Sequence, residues 1–521
     1  MRSSLAGLLG VGLVFGSAFA TPAPALEAEQ LRGKIEEVFA LAEAVSGPGT
    51  AAPYGYDAIE VVPRGEGVGG GFRVTLSGFR VLLDTAESGR LDIGDVRFTM
   101  TPVDPGADQA GGEELFRVSD LSLPPRWHYA AGDGPPSHAI TPGSLTFEGL
   151  WSFAYLSLME ARLAAADVRI ETAGGAPVSR LETVQGELES RTAEAGRYDV
   201  AGRLRIDGIT IRDDGFRVAL GGIESEVEVP GHDPAAAAEA LRAAAQVLSP
   251  DAAAAASTDL VADLLFLAQG GRMTFTLQDF RGLWEESKEA LEIDGISLDY
   301  AVSNLEESVA SLDMALGQTG LRFTAPDRPA DGLAAALMPA DGRAALSLQR
   351  LPLRTLLTLL QPLAQEAAVE GGAGDALALG GRNGDRLAVE AGEKLIGAMS
   401  DAGTTLDLSG TRVSTPDAEI ALTGGLVIDA EAAFGVRGTV LAEVGGFDSL
   451  VDLAQRSLED PDPKIRDNAR GLVAMLALLR AFADRDETPA EGPIDRFMVK
   501  VDPNGALSVN EKPLLPPQPS H

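Results

Sequence analysis

Residues able to do chemistry are few and scattered in this chain. Its four histidines are His128, His138, His232 and His521. The first three fall among Pro and Gly residues and the fourth is terminal, with no His-Glu-x-x-His and no other paired metal spacing. Cysteine is absent, which excludes thiolate catalysis, disulfides, iron–sulfur clusters and Cys-ligated zinc. The two common serine-acylation signatures are missing as well: there is no Gly-x-Ser-x-Gly elbow, and no lysine has a serine three positions before it. Gly65, Gly67 and Gly70 formally satisfy Gly-x-Gly-x-x-Gly. The residues immediately after them, Phe72 to Leu76, read as strand, whereas a dinucleotide loop must open a helix whose N-terminus holds the pyrophosphate. Gly33-Lys34 is the only Gly-Lys pair and lacks the upstream glycine of a phosphate loop. No catalytic residue, cofactor or metal is therefore expected.

Carboxylates and aromatics need the same scrutiny. Asp460, Asp462, Asp467 and Asn468 could offer oxygen ligands to calcium, but the glycine and closing glutamate of a calcium loop are missing. Acidic residues beside Pro463 fit the positive end of a helix better. Glu285 and Glu286, next to Trp284, read as a helix start, because acid/base hydrolysis of a glycoside needs two carboxylates across a substrate and adjacency does not supply that. Trp127-His128-Tyr129 and Trp151 with Phe153 and Tyr155 are the richest aromatic spots. Core or loop packing is their expected role, with a sugar-stacking platform as the alternative.

The elements around these residues alternate between two kinds. Gly71 to Asp84, Arg203 to Leu220, Gly271 to Phe280, Leu291 to Tyr300, Thr404 to Val413 and Glu419 to Asp429 carry the period-two apolar pattern of half-buried strands. Ala- and Leu-rich stretches between them predict helices over Leu26 to Val45, Pro234 to Leu248, Asp259 to Ala268, Leu353 to Ala368, Leu387 to Ser400, Phe447 to Ser457 and Lys464 to Ala483.

Within the strands a local unit recurs: apolar residues alternate, meet a two-residue turn signal, and resume with shifted parity. The signals are Ser77-Gly78, Gly94-Asp95, Asp207-Gly208, Asp294-Gly295 and Ser409-Gly410. A hairpin or a glycine bulge in a continuous strand would each keep one face apolar across the shift. The expected fold class is therefore α+β: elongated antiparallel β-meander sheets with one apolar face partly covered by helices. That face is assigned Phe72, Val74, Leu76, Ile206, Ile209, Phe275, Ile293, Ile296 and Leu298, with Ile206 and Ile209, like Ile293 and Ile296, buried on one side.

Arg2 followed by an apolar run from Leu5 to Ala20 has the layout of a secretory leader, with cleavage expected after Ala20 or, failing that, Ala25. The segments expected are a signal peptide over 1–20, a helix with a β-meander over 21–110, β-rich repeats with helices over 111–330, an α+β region over 331–513 and a disordered tail over 514–521. Pro- and Gly-rich stretches at Val103 to Gly112, Pro124 to Pro142, Ala325 to Gly332 and Gly371 to Gly384 are the candidate boundaries. The formal charge of −35, from 77 acidic and 42 basic residues, argues against nucleic acid and anionic headgroups as partners. After cleavage no stable transmembrane segment is expected.

The unit Leu291-Glu-Ile-Asp-Gly-Ile-Ser-Leu298 resembles the strands of AsmA-like and YdgA-like envelope proteins. The C-terminal third is similar to the secreted bacterial domain of unknown function numbered twenty-one twenty-five. The similar part comprises strands at Ala418 to Asp429 and Gly435 to Ala442, a helix pair through Ala483, Phe497 to Val501 and the closing Asn504-Gly505 to Leu514. Glu511 stands where YdgA-like tails often carry glycine. These resemblances imply an elongated β-rich periplasmic envelope protein handling lipid, and no catalytic residues. The resulting expectation is a non-enzymatic periplasmic protein that binds lipid or acyl chains on an apolar sheet face. The alternative is a structural or assembly module that binds protein partners through β edges, and a hydrolase ranks third.

Overall fold

The computed structural model describes residues 27–45, 54–65, 70–84, 89–103, 115–131, 134–213, 215–247, 266–326, 337–359, 382–460, 462–489 and 492–517. The leader and its cleavage positions, His521, most of the helix expected at Asp259 to Ala268 and the second half of the one expected at Leu353 to Ala368 lie outside these residues. The chain divides into two compact units, one of Met1–Asp213, Gly222–Gly271 and Ala364–Glu370, the other of Asp214–Gly221, Arg272–Leu363 and Gly371–His521. Both are β-rich with antiparallel pairing, an α+β composition.

The first unit opens with helix α1 (Ala28–Val45). Leu31, Ile35, Val38, Phe39 and Ala42 recur at helical spacing, and all are buried. Strands β1 (Tyr54–Gly55), β2 (Ala58–Arg64) and β3 (Gly71–Asp84) come next, β1 and β2 both pairing with β3. Strand β3 pairs with β4 (Gly89–Val103), which divides its other edge between β5 (Leu115–Ser122) and β6 (Trp127–Ala131). Those lead to β8 (Ser144–Ser152) and β7 (His138–Thr141), which share the edge of β9 (Ser157–Thr172). Strands β10 (Pro177–Thr192) and β11 (Tyr198–Asp213) extend the sheet. Beyond them come β12 (Phe216–His232), in this unit from Gly222, and α2 (Pro234–Val247).

The second unit contains β13 (Gly270–Trp284) from Arg272, β14 (Glu289–Ser303), β15 (Ala310–Thr319), β16 (Arg322–Thr324) and β17 (Asp341–Leu351). A short helix at 353–359 and α3 (Arg382–Ala402) precede β18 (Thr405–Asp407), β19 (Thr411–Ser414), β20 (Glu419–Ile428) and β21 (Val436–Gly445). Helices α4 (Phe447–Arg456) and α5 (Pro463–Phe482) come next, then β22 (Asp484–Asp486), β23 (Ile494–Val501), β24 (Leu507–Val509) and β25 (Lys512–Leu515). The hydrogen-bonded order across the sheet is β14, β15, β17, then β18 and β19 end to end, β20, β21, β23, β24 and β25.

The turn signals do not make hairpins. Strands β3, β4 and β11 run straight through Gly78, Gly94 and Gly208, each in the left-handed region, and β3 against β4 slips register between Leu76 and Phe79. Gly410 separates β18 from β19, yet both pair with β20, so that unit is an interrupted strand. At Asp294-Gly295, β14 changes partner from β16 to β15. A two-residue hairpin would have doubled each strand back on itself; the long flanking partners hold it extended instead, and the extra residue becomes a bulge or break.

Other expectations also change. Pro124 to Pro142 contains β6 and β7, both paired within the sheet, and Val103 pairs with Leu115 across the stretch expected to end the first segment. Pro124, Pro125, Pro135, Pro136 and Pro142 serve connections between strands. Glu285 and Glu286 sit in the turn between β13 and β14, where no helix starts. Leu514 and Leu515 belong to β25, since Leu515 finds a ladder partner in Leu507.

Candidate functional site

The nine residues assigned to the apolar face divide between the units. Phe72, Val74 and Leu76 lie in a closed core, under Leu31, Ile35, Val38 and Phe39 of α1 and beside Val96, Met100, Phe116, Trp151 and Phe153. Val74 has no exposed surface. Ile206 and Ile209 are buried as expected while Arg205 is exposed. Gly208 between them, at φ +63°, turns the backbone so that residues three apart are both covered. Phe275, Ile293, Ile296 and Leu298 are only half-buried, contrary to the burial expected of the Ile293 and Ile296 pair. Helices α4 and α5 of this unit pack further along its sheet, on β21 and β23.

The register of the second unit aligns its side chains in rungs, because residues directly opposite in an antiparallel ladder share a face. Leu298 faces Leu316, which faces Ala344. Tyr300, Met314 and Leu346 form the next rung. Val302, Leu312, Leu348, Leu406 and Leu426 form a longer one. Ile296 starts a rung that passes through Gln318, Gly342, Val413 and Ile420 to Val444. Leu316 is 55% exposed, with Tyr300, Met314 and Ile420 also exposed. The alternating positions carry Ser297, Asp299, Asp313, Arg343, Ser347, Asp407 and Arg412 together with Ala301, Ala345 and the buried Ala315, with an Arg343 to Asp299 ion pair at 3.6 Å.

Toward β21 and β23 the same rungs are covered. Ala442, Val444, Phe497, Val499 and Val509 pack against Phe447, Leu450 and Ala454 of α4 and Leu472 and Leu476 of α5. Gly446 makes the turn into α4 at φ +71°. Asp462 caps α5 by accepting from the Lys464 amide at 2.8 Å, the helix-start role read for the acidic cluster. Arg485 donates to both carboxylate oxygens of Asp448 in the first turn of α4, and Arg480 donates to Asp448 as well. These two guanidinium groups hold the Asp448 carboxyl down to about 2. Arg485 also lies 3.7 Å from the buried Asp495 carboxylate of β23, so one cation fastens the helix to the strand beneath it.

Remaining chemical candidates resolve into packing. His128 faces Ala139 while His138 faces Tyr129, so on these paired strands the two imidazoles project to opposite faces. Burial pushes His232 below its ordinary value. Trp151 and Phe153 are in the closed core; Tyr155 contacts Tyr198 with ring centroids 5.7 Å apart. Trp284 lies 5.0 Å from Phe216, and Glu285 pairs with Arg217. Among the described residues, no group of three or more His, Asp or Glu side chains could hold a metal ion, and no helix is long and apolar enough to cross a membrane. No protein-family model matches this chain, and neither a curated protein nor a solved structure does.

Proposed function

We propose that this protein is a non-enzymatic binder of lipid acyl chains, exported from the cytoplasm, whose ligand lies on an apolar face of β14, β15, β17 and the strands beyond. The observation that carries this is the run of Leu298, Tyr300, Met314, Leu316, Leu346 and Leu348 on adjacent rungs, with Leu316 55% exposed and polar residues or alanine at the alternating positions. Tyr300, Met314 and Leu316 of this strip are exposed, and exposed apolar side chains on neighbouring rungs support a binding reading. Each methylene laid against it contributes about 0.8 kcal/mol, so a dozen carbons are enough for useful affinity. Export is supported by the apolar run from Leu5 to Ala20 behind Arg2.

Titration with a fluorescent fatty acid tests the proposal. Saturable binding that Leu316→Glu weakens by about tenfold or more is expected, because the substitution removes a large apolar contact and places a carboxylate in the strip. No saturable binding, or binding indifferent to Leu316→Glu, would overturn it.

A further inference from the structure

The segment that carries α4 and α5 leaves and rejoins the sheet at one level. Gly445, at the end of β21, and Asp486, at the end of β22, are both ladder partners of Ile494, so they lie on opposite edges of β23. The two helices therefore form a strap attached at two nearby points. Its entry is the pair Gly445-Gly446, with Gly446 in the left-handed region at φ +71°, and consecutive glycines are backbone able to absorb a rotation. The helices also hold each other without the sheet, because Leu453 and Ala469 are buried between them among Leu458, Ile465 and Leu472.

What the strap covers is the continuation of the uncovered rungs. On the rung that starts at Ile296, Ile420 of β20 is 41% exposed, and its partner Val444 on β21 is buried against α4. The edge of the cover thus falls between two hydrogen-bonded strands of one apolar face. Next to Val444 on the same rung is Asp495, buried, with neither carboxylate oxygen meeting a hydrogen-bond donor among the described residues. A permanent core layer would be expected to carry an apolar residue there, as it does at Phe497. The cation beside it, Arg485 of β22, is 3.7 Å away and donates instead to Asp448 on the strap, at 3.2 Å from Nη1 to Oδ1. One guanidinium therefore stands between two carboxylates, one on the strap and one on the sheet beneath, which is the arrangement of a two-position fastening.

We infer that α4 and α5 are a lid over the far end of the acyl strip, latched by Arg485 on Asp448. It opens when Arg485 passes to Asp495 and an acyl chain replaces the helices on Val444, Phe497 and Val499. The inference rests on the acyl-binding function proposed above. Closed, the lid leaves only the strip of β14 to β20 to the ligand; open, it lengthens the same rungs onto β21 and β23.

Because the chain has no cysteine, spin labels on Gln455→Cys of α4 and Met498→Cys of β23, both exposed positions, report the lid alone. Saturating oleate should lengthen the label separation, and Asp448→Asn should populate the longer separation without ligand. Asp448→Asn should also tighten oleate binding by about fivefold, since weakening the latch raises the open fraction. A purely structural role for Asp448 would leave that affinity unchanged or lower it. Saturable oleate binding that Leu316→Glu weakens, with one label separation throughout, overturns the lid and leaves the acyl strip standing. Absence of saturable binding overturns the acyl function itself, and the lid is then judged on Asp448→Asn alone, where an unchanged separation overturns it.

Discussion

At the residue scale, the most strongly perturbed carboxylate of the second unit is structural. Asp448 sits between Arg485 and Arg480, which depress its pKa from the ordinary 3.8 to about 2. A group whose folded pKa is lowered stabilises the fold above its unfolded pKa and loses that contribution as pH falls through the folded one. The contribution of Asp448 is thus complete above about pH 4 and fades toward pH 2. Its side chain is half exposed, so solvent screening holds the effect to about 1 kcal/mol. Asp448→Asn should lower the urea midpoint at pH 7 and flatten the acid limb of stability between pH 4 and pH 2, both readable by circular dichroism. Arg485→Ala should cost more, about 2 kcal/mol or above, because it also strips the buried Asp495 of its only ion-pair partner among the described residues. At this scale the sequence was informative where chemistry is local. Asp462 ahead of Pro463 reads as a helix cap and is one. Arg485 lies 37 residues from Asp448, and nothing in their spacing announces the pair.

At the scale of elements, parity was readable and topology was not. Isoleucines flanking Asp207-Gly208 at a spacing of three can share burial only if the backbone turns between them, and Gly208 supplies that turn. Whether a hairpin or a bulge results depends on the length of the partner strands, and β10 pairs with β11 on both sides of the signal from Ser179 to Thr192. Asp167, in the left-handed region on β9, makes a comparable bend without any glycine to mark it. A methyl on Gly208 would meet Cγ of Glu182 at 2.3 Å, in addition to the backbone penalty of a positive φ. The turn into α4 is tighter still, since a methyl on Gly446 would stand 2.1 Å from the Asp417 carbonyl oxygen. Gly446→Ala is expected to cost about 2–3 kcal/mol in thermal or denaturant unfolding, and should also loosen the α4 and α5 cover over Phe497 and Val499. A neutral outcome would mean that this turn is not fixed as described.

For the whole molecule, the proposed function depends on which sheet faces the helices reach. The row Phe72, Val74 and Leu76 looks the same in sequence as Ile296 and Leu298, with alternating apolar residues next to a glycine-bearing signal. The first row became core because α1 lies across it; the second stays half-buried, where α4 and α5 lie over β21 and β23 and α3 contacts β17 and β20. Long-range placement of a helix decides this, and no local pattern encodes it. Charge acts on the same scale. With a net −35, the chain repels a fatty-acid carboxylate, so salt should leave affinity within about threefold and should not reduce it. A steep fall with added salt would instead indicate ion pairing and refute an apolar mode of binding. The most direct test of where the ligand lies is photolabelling with a diazirine fatty acid and subsequent peptide mapping. The label should concentrate on peptides containing Tyr300, Met314, Leu316 and Leu346 and disappear with excess unlabelled fatty acid; labelling confined to the first unit, or undiminished by competitor, would contradict the proposal.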